Sequence, residues 1–310
     1  MLQKLRIVAG LAVLMLMLVG GWKWRKVSAQ ETIRAIGISD AGLTLVTPLE
    51  PGFDGMIKGL IGENHVPELA SLRDYSVILH NHSNQTVVAY YLRWEFTEPD
   101  GNRTQMDMTE NRITRFLDGG YKKTDAENDG LGPTIAPQSW VVVTPRRVVK
   151  TGAGAESRSS NGRYVSHLEQ VSSKFAEASD IRVSLDGAFF EDGSFVGPNE
   201  SHFFEIIKSQ VRAKQNLLSY IIMSVGQGRT VDDVANELKT SLPASRPELS
   251  RTADGSISGL DDYFRFQYVS EFLGVYRGNG AFLALGWAHQ GLYQHPARLE
   301  KKSSIEGKTP

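Results

Sequence analysis

Apolar and polar positions follow two different rhythms along this chain. In the first part the rhythm is two. Residues 32–38 and 43–46 are short alternating runs on either side of the turn-forming Ser39-Asp40-Ala41-Gly42. A clearer hairpin follows, with one arm at 75–80, a turn at 81–85 and a second arm at 86–96. Both arms are rich in β-branched and aromatic residues, and Asn-Ser-Asn is turn chemistry. In the second arm Val88, Tyr90, Leu92, Trp94 and Phe96 share one face, with Arg93 and Glu95 opposite. This pattern predicts a sheet packed on one side only. Pro99-Asp100-Gly101-Asn102 closes the arm. Strand character returns at 135–144, at 181–185 and in a hairpin over 188–196, whose Asp192-Gly193 is a strong tight-turn signal.

After Gly197-Pro198-Asn199 the rhythm becomes helical. Asn199 or Ser201 can cap a helix that runs to about residue 225, with Phe203, Ile206, Ile207, Val211, Leu217, Leu218, Ile221 and Ile222 as its apolar stripe. A second helix is expected over 230–242, with Asp232 and Asp233 in the first turn, where the helix dipole favours acidic groups. Helical spacing resumes at 260–276 and 281–292, interrupted by Arg277-Gly278-Asn279-Gly280. Strands followed by helices define an α+β fold. The expected division is a leader at 1–29, a β-sandwich-like domain at 30–198, a helical region at 199–297 and a flexible tail at 298–310. Residues 118–133 read as a surface loop. Residues 151–162 and 243–259 have linker composition.

The leader carries the strongest single signal. Lys4 and Arg6 precede an uncharged run, 7–22, short of the ~20 residues of a comfortable membrane-spanning helix and close to the upper limit of a signal-peptide core. Val27-Ser28-Ala29 offers a cleavage pattern. Lys23-Trp24-Arg25-Lys26 instead favours retention, because charge beside the apolar run resists translocation. The chain is therefore expected outside the cytoplasm, either released after cleavage near Ala29 or anchored by 7–22. Membrane contact is expected through this segment alone.

Charge is balanced, with 34 Lys plus Arg against 35 Asp plus Glu, so no global field would gather nucleic acid. The 310 residues include no cysteine, which removes disulfides, thiolate metal sites, thiol nucleophiles and a lipidated cysteine. An exported chain of this size without disulfides points to a bacterial source.

Tyr75-Ser76-Val77-Ile78-Leu79-His80-Asn81-His82-Ser83-Asn84 and Ile135-Ala136-Pro137-Gln138-Ser139 resemble the strand–turn openings of immunoglobulin-like and fibronectin-like sandwiches in exported proteins. The run 181–198 resembles a segment of uncharacterised bacterial exported proteins in which a helix follows. The resemblance implies a sandwich-type fold and export, and it implies no activity, since such folds host many functions.

Candidate chemistry is sparse. His80 and His82 alternate on a strand and could reach one ion, yet no acid or third histidine is near in sequence. Asp186, Glu191 and Asp192 are oxygen donors without calcium-loop spacing. His202 and Glu205 stand three apart on the first helix, as a base and its orienting acid can. His289 and His295 read as structural, and Asp261-Asp262 as a helix start. The crowded aromatics Tyr263, Phe264, Phe266, Tyr268, Phe272, Tyr276, Phe282 and Trp287 read as helices packing on the sheet or on each other, with a carbohydrate or peptide groove as the alternative. Nucleophile-elbow, phosphate-loop, dinucleotide and His-Glu-x-x-His motifs are absent. No catalytic, cofactor-binding or metal residue is assigned, and no cofactor is expected. The reading is an extracytoplasmic interaction or structural protein whose partner is another envelope protein. The alternative is an envelope hydrolase with acidic residues outside any motif.

Overall fold

A computed structural model describes residues 33–63, 66–70, 72–97, 100–113, 134–145, 148–149, 178, 180–252, 256–292 and 299–302. The expected leader, the 118–133 loop, the 151–162 linker and His295 lie outside these residues. The described chain is α+β, with strands first and helices after.

One sheet contains β1 (Ile33–Ile36), β4 (Val87–Thr97), β5 (Arg103–Asn111), β8 (Asp180–Phe190), β9 (Ser194–Val196) and β12 (Glu300–Lys301). Its order is β12-β9-β8-β4-β5, and β1 lies parallel to the first half of β8, with Ile33 opposite Ile181. The other sheet has the order β2 (Leu43–Val46), β3 (Val77–Asn81), β6 (Ser139–Val143), β7 (Val148–Val149). A third, two-stranded pairing joins β10 (Ser250–Arg251) to β11 (Ile257–Ser258) inside the stretch expected to be linker. The helices are α1 (Phe53–Ile61), α2 (Val66–Leu69), α3 (Phe203–Gly226), α4 (Val231–Ser241) and α5 (Leu260–Leu292), the last broken at Gly280.

The two larger sheets share one core. Val77 and Leu79 of β3 and Val141 and Val143 of β6 meet Tyr90, Leu92, Trp94 and Phe96 of β4 and Ile181, Val183 and Leu185 of β8. Burying each such side chain stabilises the fold by about 1.5–3 kcal/mol relative to leaving it in water. Trp94 is fully buried, and its indole Nε1 donates to Tyr75 O at 2.9 Å, so its one polar atom is satisfied.

Part of each outer face is covered as well, which corrects the expectation of a sheet packed on one side only, although Glu95 stays half-exposed and Arg182 exposed on the larger sheet. α1 lays Phe53, Ile57 and Ile61 over Ile78 and Val142 of the smaller sheet. On the larger sheet, Phe203, Phe204, Ile207 and Val211 of α3 cover Val88, Tyr91, Phe189 and Phe195. Val88 therefore faces away from Tyr90, contrary to the simple alternation. The ladder between β4 and β8 slips between Val87 and Ala89, and again between Tyr91 and Leu92. One extra residue in a strand inverts the facing of everything before it.

The helices form a second body. Leu217, Leu218 and Ile221 of α3, Val234, Ala235 and Leu238 of α4, and Phe264, Tyr268, Val269 and Phe272 of α5 make a separate core. Gly280, at φ 80°, breaks α5 where any other residue would be strained, and the chain doubles back so that Trp287 lies 6.2 Å from Phe272. Most of the aromatic block is this core. The chain then returns to the sheet, where residues expected in a frayed tail form β12, with Glu300 opposite Ser194.

Candidate functional site

Asp186, Asn199 and Arg93 build the joint between sheet and helices. Asp186 is buried just past the middle of β8 and accepts from Glu200 N at 2.8 Å, from Ser201 N at 2.9 Å and from the Ser201 hydroxyl. Asn199, at φ 64°, accepts from Phe204 N at 2.8 Å through Oδ1 and donates to Glu205 at 2.7 Å. Asn199 thus caps α3 from a distance. Ser201, the other expected cap, is turned to Asp186 instead. His202 sits at φ 60°, and its Nδ1 is 4.0 Å from Glu205. Glu205 already holds Asn199, so the His202–Glu205 pair is part of a helix start.

Arg93, expected on a solvent face, is buried beneath this joint. It donates to Glu200 at 3.0 Å, and its Nε stands 3.5 Å from Asp107, an ion pair without hydrogen-bond geometry. Burial works against its charge, but Asp107, Asp186 and Tyr91 more than offset this and raise its pKa. Burial, and then the bond with Asp107, hold the Tyr91 hydroxyl far above the usual tyrosine value. Every group in this cluster is engaged by another.

His80 and His82 part company. His82 is exposed, with Nε2 3.1 Å from Thr44 Oγ1. His80 is buried and stacked on Trp140 at 3.3 Å between ring centres, and its Nδ1 has no hydrogen-bond partner. Trp140 lies directly across the strand pair from His80, a contact invisible before β3 and β6 are placed side by side. Among the described residues no group of three or more His, Cys, Asp or Glu is poised to hold a metal. Burial, then the neighbouring His82, lowers the His80 pKa. The unfolded chain therefore takes up a proton near pH ~6.5 that the folded chain resists. Stability is expected to be fullest above that pH and to fall as the pH drops below it. His80→Phe, which keeps the stack, should flatten this slope in a series of denaturant melts between pH 7.5 and pH 4.5; an unchanged slope would assign the loss elsewhere.

Asp186, Glu191 and Asp192 do not converge on a calcium site. Asp186 faces the α3 joint, while Asp192 serves its own turn, accepting from Ser194 N at 2.8 Å and from Gln85 at 2.7 Å. Asp261 forms an ion pair with Arg212 rather than only marking a helix start, and that bond holds its carboxyl below the usual range. The Arg212–Asp261 pair borders a cleft of about 310 Å³ between α3, α4 and the start of α5, with Tyr220, Glu237 and Arg265 around it. Glu237 is bound by Tyr220 and Arg229. The cleft walls are thus largely neutralised by their own pairs.

The far end of the helical body differs in kind. Phe282 is 87 % exposed, Leu283 53 % and Met223 62 %. Tyr276 donates to Asp232 at 2.6 Å, which fixes the break in α5 beside the α3–α4 turn and so puts all three apolar side chains at one end. Residues 278–292 contain no Asp, Glu, Lys or Arg. An uncharged, largely apolar helix is normally well buried, yet here only Ala284 and Ala288 are fully buried. The lack of charge over 278–292 is the sequence signal for this surface. No helix among the described residues is long and apolar enough to cross a membrane.

Comparison with protein-family models, with curated proteins and with solved structures finds no match for this chain.

Proposed function

We propose that this chain is an extracytoplasmic interaction protein of the cell envelope, built on an immunoglobulin-like sandwich and binding a protein partner through the end of its helical body. The observation that carries this reading is the joint exposure of Phe282, Leu283 and Met223 at that end. Large exposed apolar side chains gathered in one place mark contact surfaces in soluble proteins, whereas scattered ones do not. Aromatic and methionine side chains are also the types enriched in interface cores.

The position of this end supports the reading. Ile33 is level with Ile181 at the start of β8. α3 travels in the direction of β8, from Glu200 beside Arg93 to Gln210 beside Asn111, and continues to Gly226. By strand and helix rise, the exposed end stands up to about 50 Å from Ile33 along this axis. A leader anchored in a membrane at the other end would hold the binding surface away from that membrane, towards a partner.

Two measurements test this together. A reporter active only outside the cytoplasm, fused after Pro310, should be active. A photo-crosslinker at Phe282 should then capture a discrete partner in cells, and Phe282→Asp with Leu283→Asp should reduce capture by a crosslinker at Met223 at least tenfold while leaving the melting temperature within a degree or two. Activity of a cytoplasmic reporter alone refutes the location. Equal capture by the double variant refutes the surface.

A further inference from the structure

The cleft of about 310 Å³ between α3, α4 and the start of α5 is held in shape by two clamps. Arg212, Asn216 and Tyr220 stand four residues apart on α3 and so form one row along it. At one end of the row Arg212 donates to both carboxylate oxygens of Asp261 at 2.5 Å, which ties α3 to α5. At the other end the Tyr220 hydroxyl donates to Glu237 at 2.5 Å, which ties α3 to α4. Arg229 donates to the Tyr220 hydroxyl at 3.1 Å and to Glu237 at 2.5 Å, so the tyrosine ring is a fixed part of the wall. The apolar part of the lining is Ala213, Leu217 and Leu238, the two leucines belonging to the helical core.

Three polar side chains that line the same cleft take no part in the clamps. Asn216 and Asp262 have no side-chain hydrogen bond or ion pair among the described residues. Arg265 makes one long bond, 3.4 Å, to the Ser241 hydroxyl, and no described carboxylate pairs with it. Asp262 and Arg265 are three residues apart on α5, which sets their Cβ atoms about 5–6 Å apart on one face. They nevertheless do not pair with each other. The cleft thus offers one unpaired carboxylate, one unpaired guanidinium and one amide beside an apolar wall. The set carries no net charge, and its complement is a small zwitterion with an apolar body.

We propose that this cleft binds a free α-amino acid with an apolar side chain. Asp262 takes the ammonium, Arg265 takes the carboxylate with the Asn216 amide as a second donor, and the side chain lies on Leu217 and Leu238 against the Tyr220 ring. An ammonium and a carboxylate carried on one carbon are close enough together to be met by two side chains of a single helical turn. The volume is at the small end of ligand sites, which suits one amino acid better than a stretch of protein. The clamps fix the walls before the ligand arrives, so little order has to be created on binding. Both charged heads are exposed, and exposed charge pairs are individually weak. The expected dissociation constant is therefore about 0.1–1 mM. The cleft uses none of Phe282, Leu283 and Met223, so the proposal stands apart from the partner surface.

Isothermal titration of the full chain in detergent tests it, with L-phenylalanine and L-leucine as probes. N-Acetyl-L-phenylalanine lacks the ammonium and L-phenylalaninamide lacks the carboxylate, and each should bind at least threefold more weakly than L-phenylalanine. Asp262→Asn should weaken L-phenylalanine at least threefold and leave the N-acetyl analogue unchanged. Arg265→Gln should weaken L-phenylalanine by as much and leave the amide analogue unchanged. Matching each variant to its analogue separates a lost head contact from a general change in the cleft. Both side chains are exposed, so the melting temperature should stay within a degree or two. Phe282→Asp with Leu283→Asp should leave amino-acid binding as it is in the parent. No saturable binding of either amino acid up to about 20 mM, or losses that do not follow the matching analogues, overturns the proposal.

Discussion

Trp94→Ala should lower the free energy of unfolding by about 3–5 kcal/mol, the range for losing a large aromatic side chain from a closed core. Trp94 is fully buried in the core that residues of β3, β4, β6 and β8 share, with Val183 of β8 as its cross-strand partner. Truncation leaves a cavity that rigid strands on both sides cannot collapse, and it removes the indole N–H that donates to Tyr75 O at 2.9 Å. Trp94→Phe should lose less, since it keeps most of the volume and forfeits only the hydrogen bond and part of the packing. The measurement is a denaturant titration followed by circular dichroism. A midpoint for Trp94→Ala equal to that of the parent would mean that β4 turns the opposite face inward.

Asp186→Ala should be nearly as damaging, again about 3–5 kcal/mol, for a different reason. Three donors now converge on this carboxylate: Glu200 N, Ser201 N and the Ser201 hydroxyl. Removing a buried acceptor strands each donor without water, and Arg93 loses one of the negative charges that offset its burial. The loss should also be local. The 197–202 connection holds two non-glycine residues at positive φ, Asn199 and His202, which persist only while their surroundings enforce them. Limited proteolysis should therefore cut Asp186→Ala within this connection before the parent chain is cut anywhere in α3. Asp186→Asn, which retains one acceptor oxygen, should fall between the two. An alanine variant within 1 kcal/mol of the parent would show that the joint is held by the aromatic contacts of α3 alone.

What the sequence determined by itself was local in origin. The β2 strand at 43–46, the long strand of the β3–β4 hairpin, the Asp192-Gly193 turn, and α3, α4 and the break in α5 at Gly280 all follow from periodicity and turn or cap chemistry between near neighbours. The capping box of Thr230 and Asp233 is the same kind of signal, complete within four residues. Elements with weak local signals were not legible. β5, Arg103-Thr104-Gln105-Met106-Asp107-Met108-Thr109-Glu110-Asn111, has few β-branched residues and is a strand because β4 offers it a full edge of hydrogen bonds. α1 is short, and its three buried apolar residues acquire meaning only over Ile78 and Val142.

The candidate site was decided almost wholly by tertiary structure. Val88 changed faces because the ladder slips beside it, a property of the pair β4–β8 and not of either strand. Arg93 and His80 look like solvent-facing residues in sequence, and both are buried because partners far along the chain, Glu200 and Trp140, arrive over them. Asp186 reads as a possible ion ligand until Ser201 and its backbone neighbour occupy its oxygens. Phe282 reads as core until the reversal at Gly280 leaves it without a neighbour to cover it. Periodicity tells which side chains share a face. Whether that face meets another element, a counter-charge or water is settled by residues tens to more than a hundred positions away, whose approach depends on the packing of the whole chain.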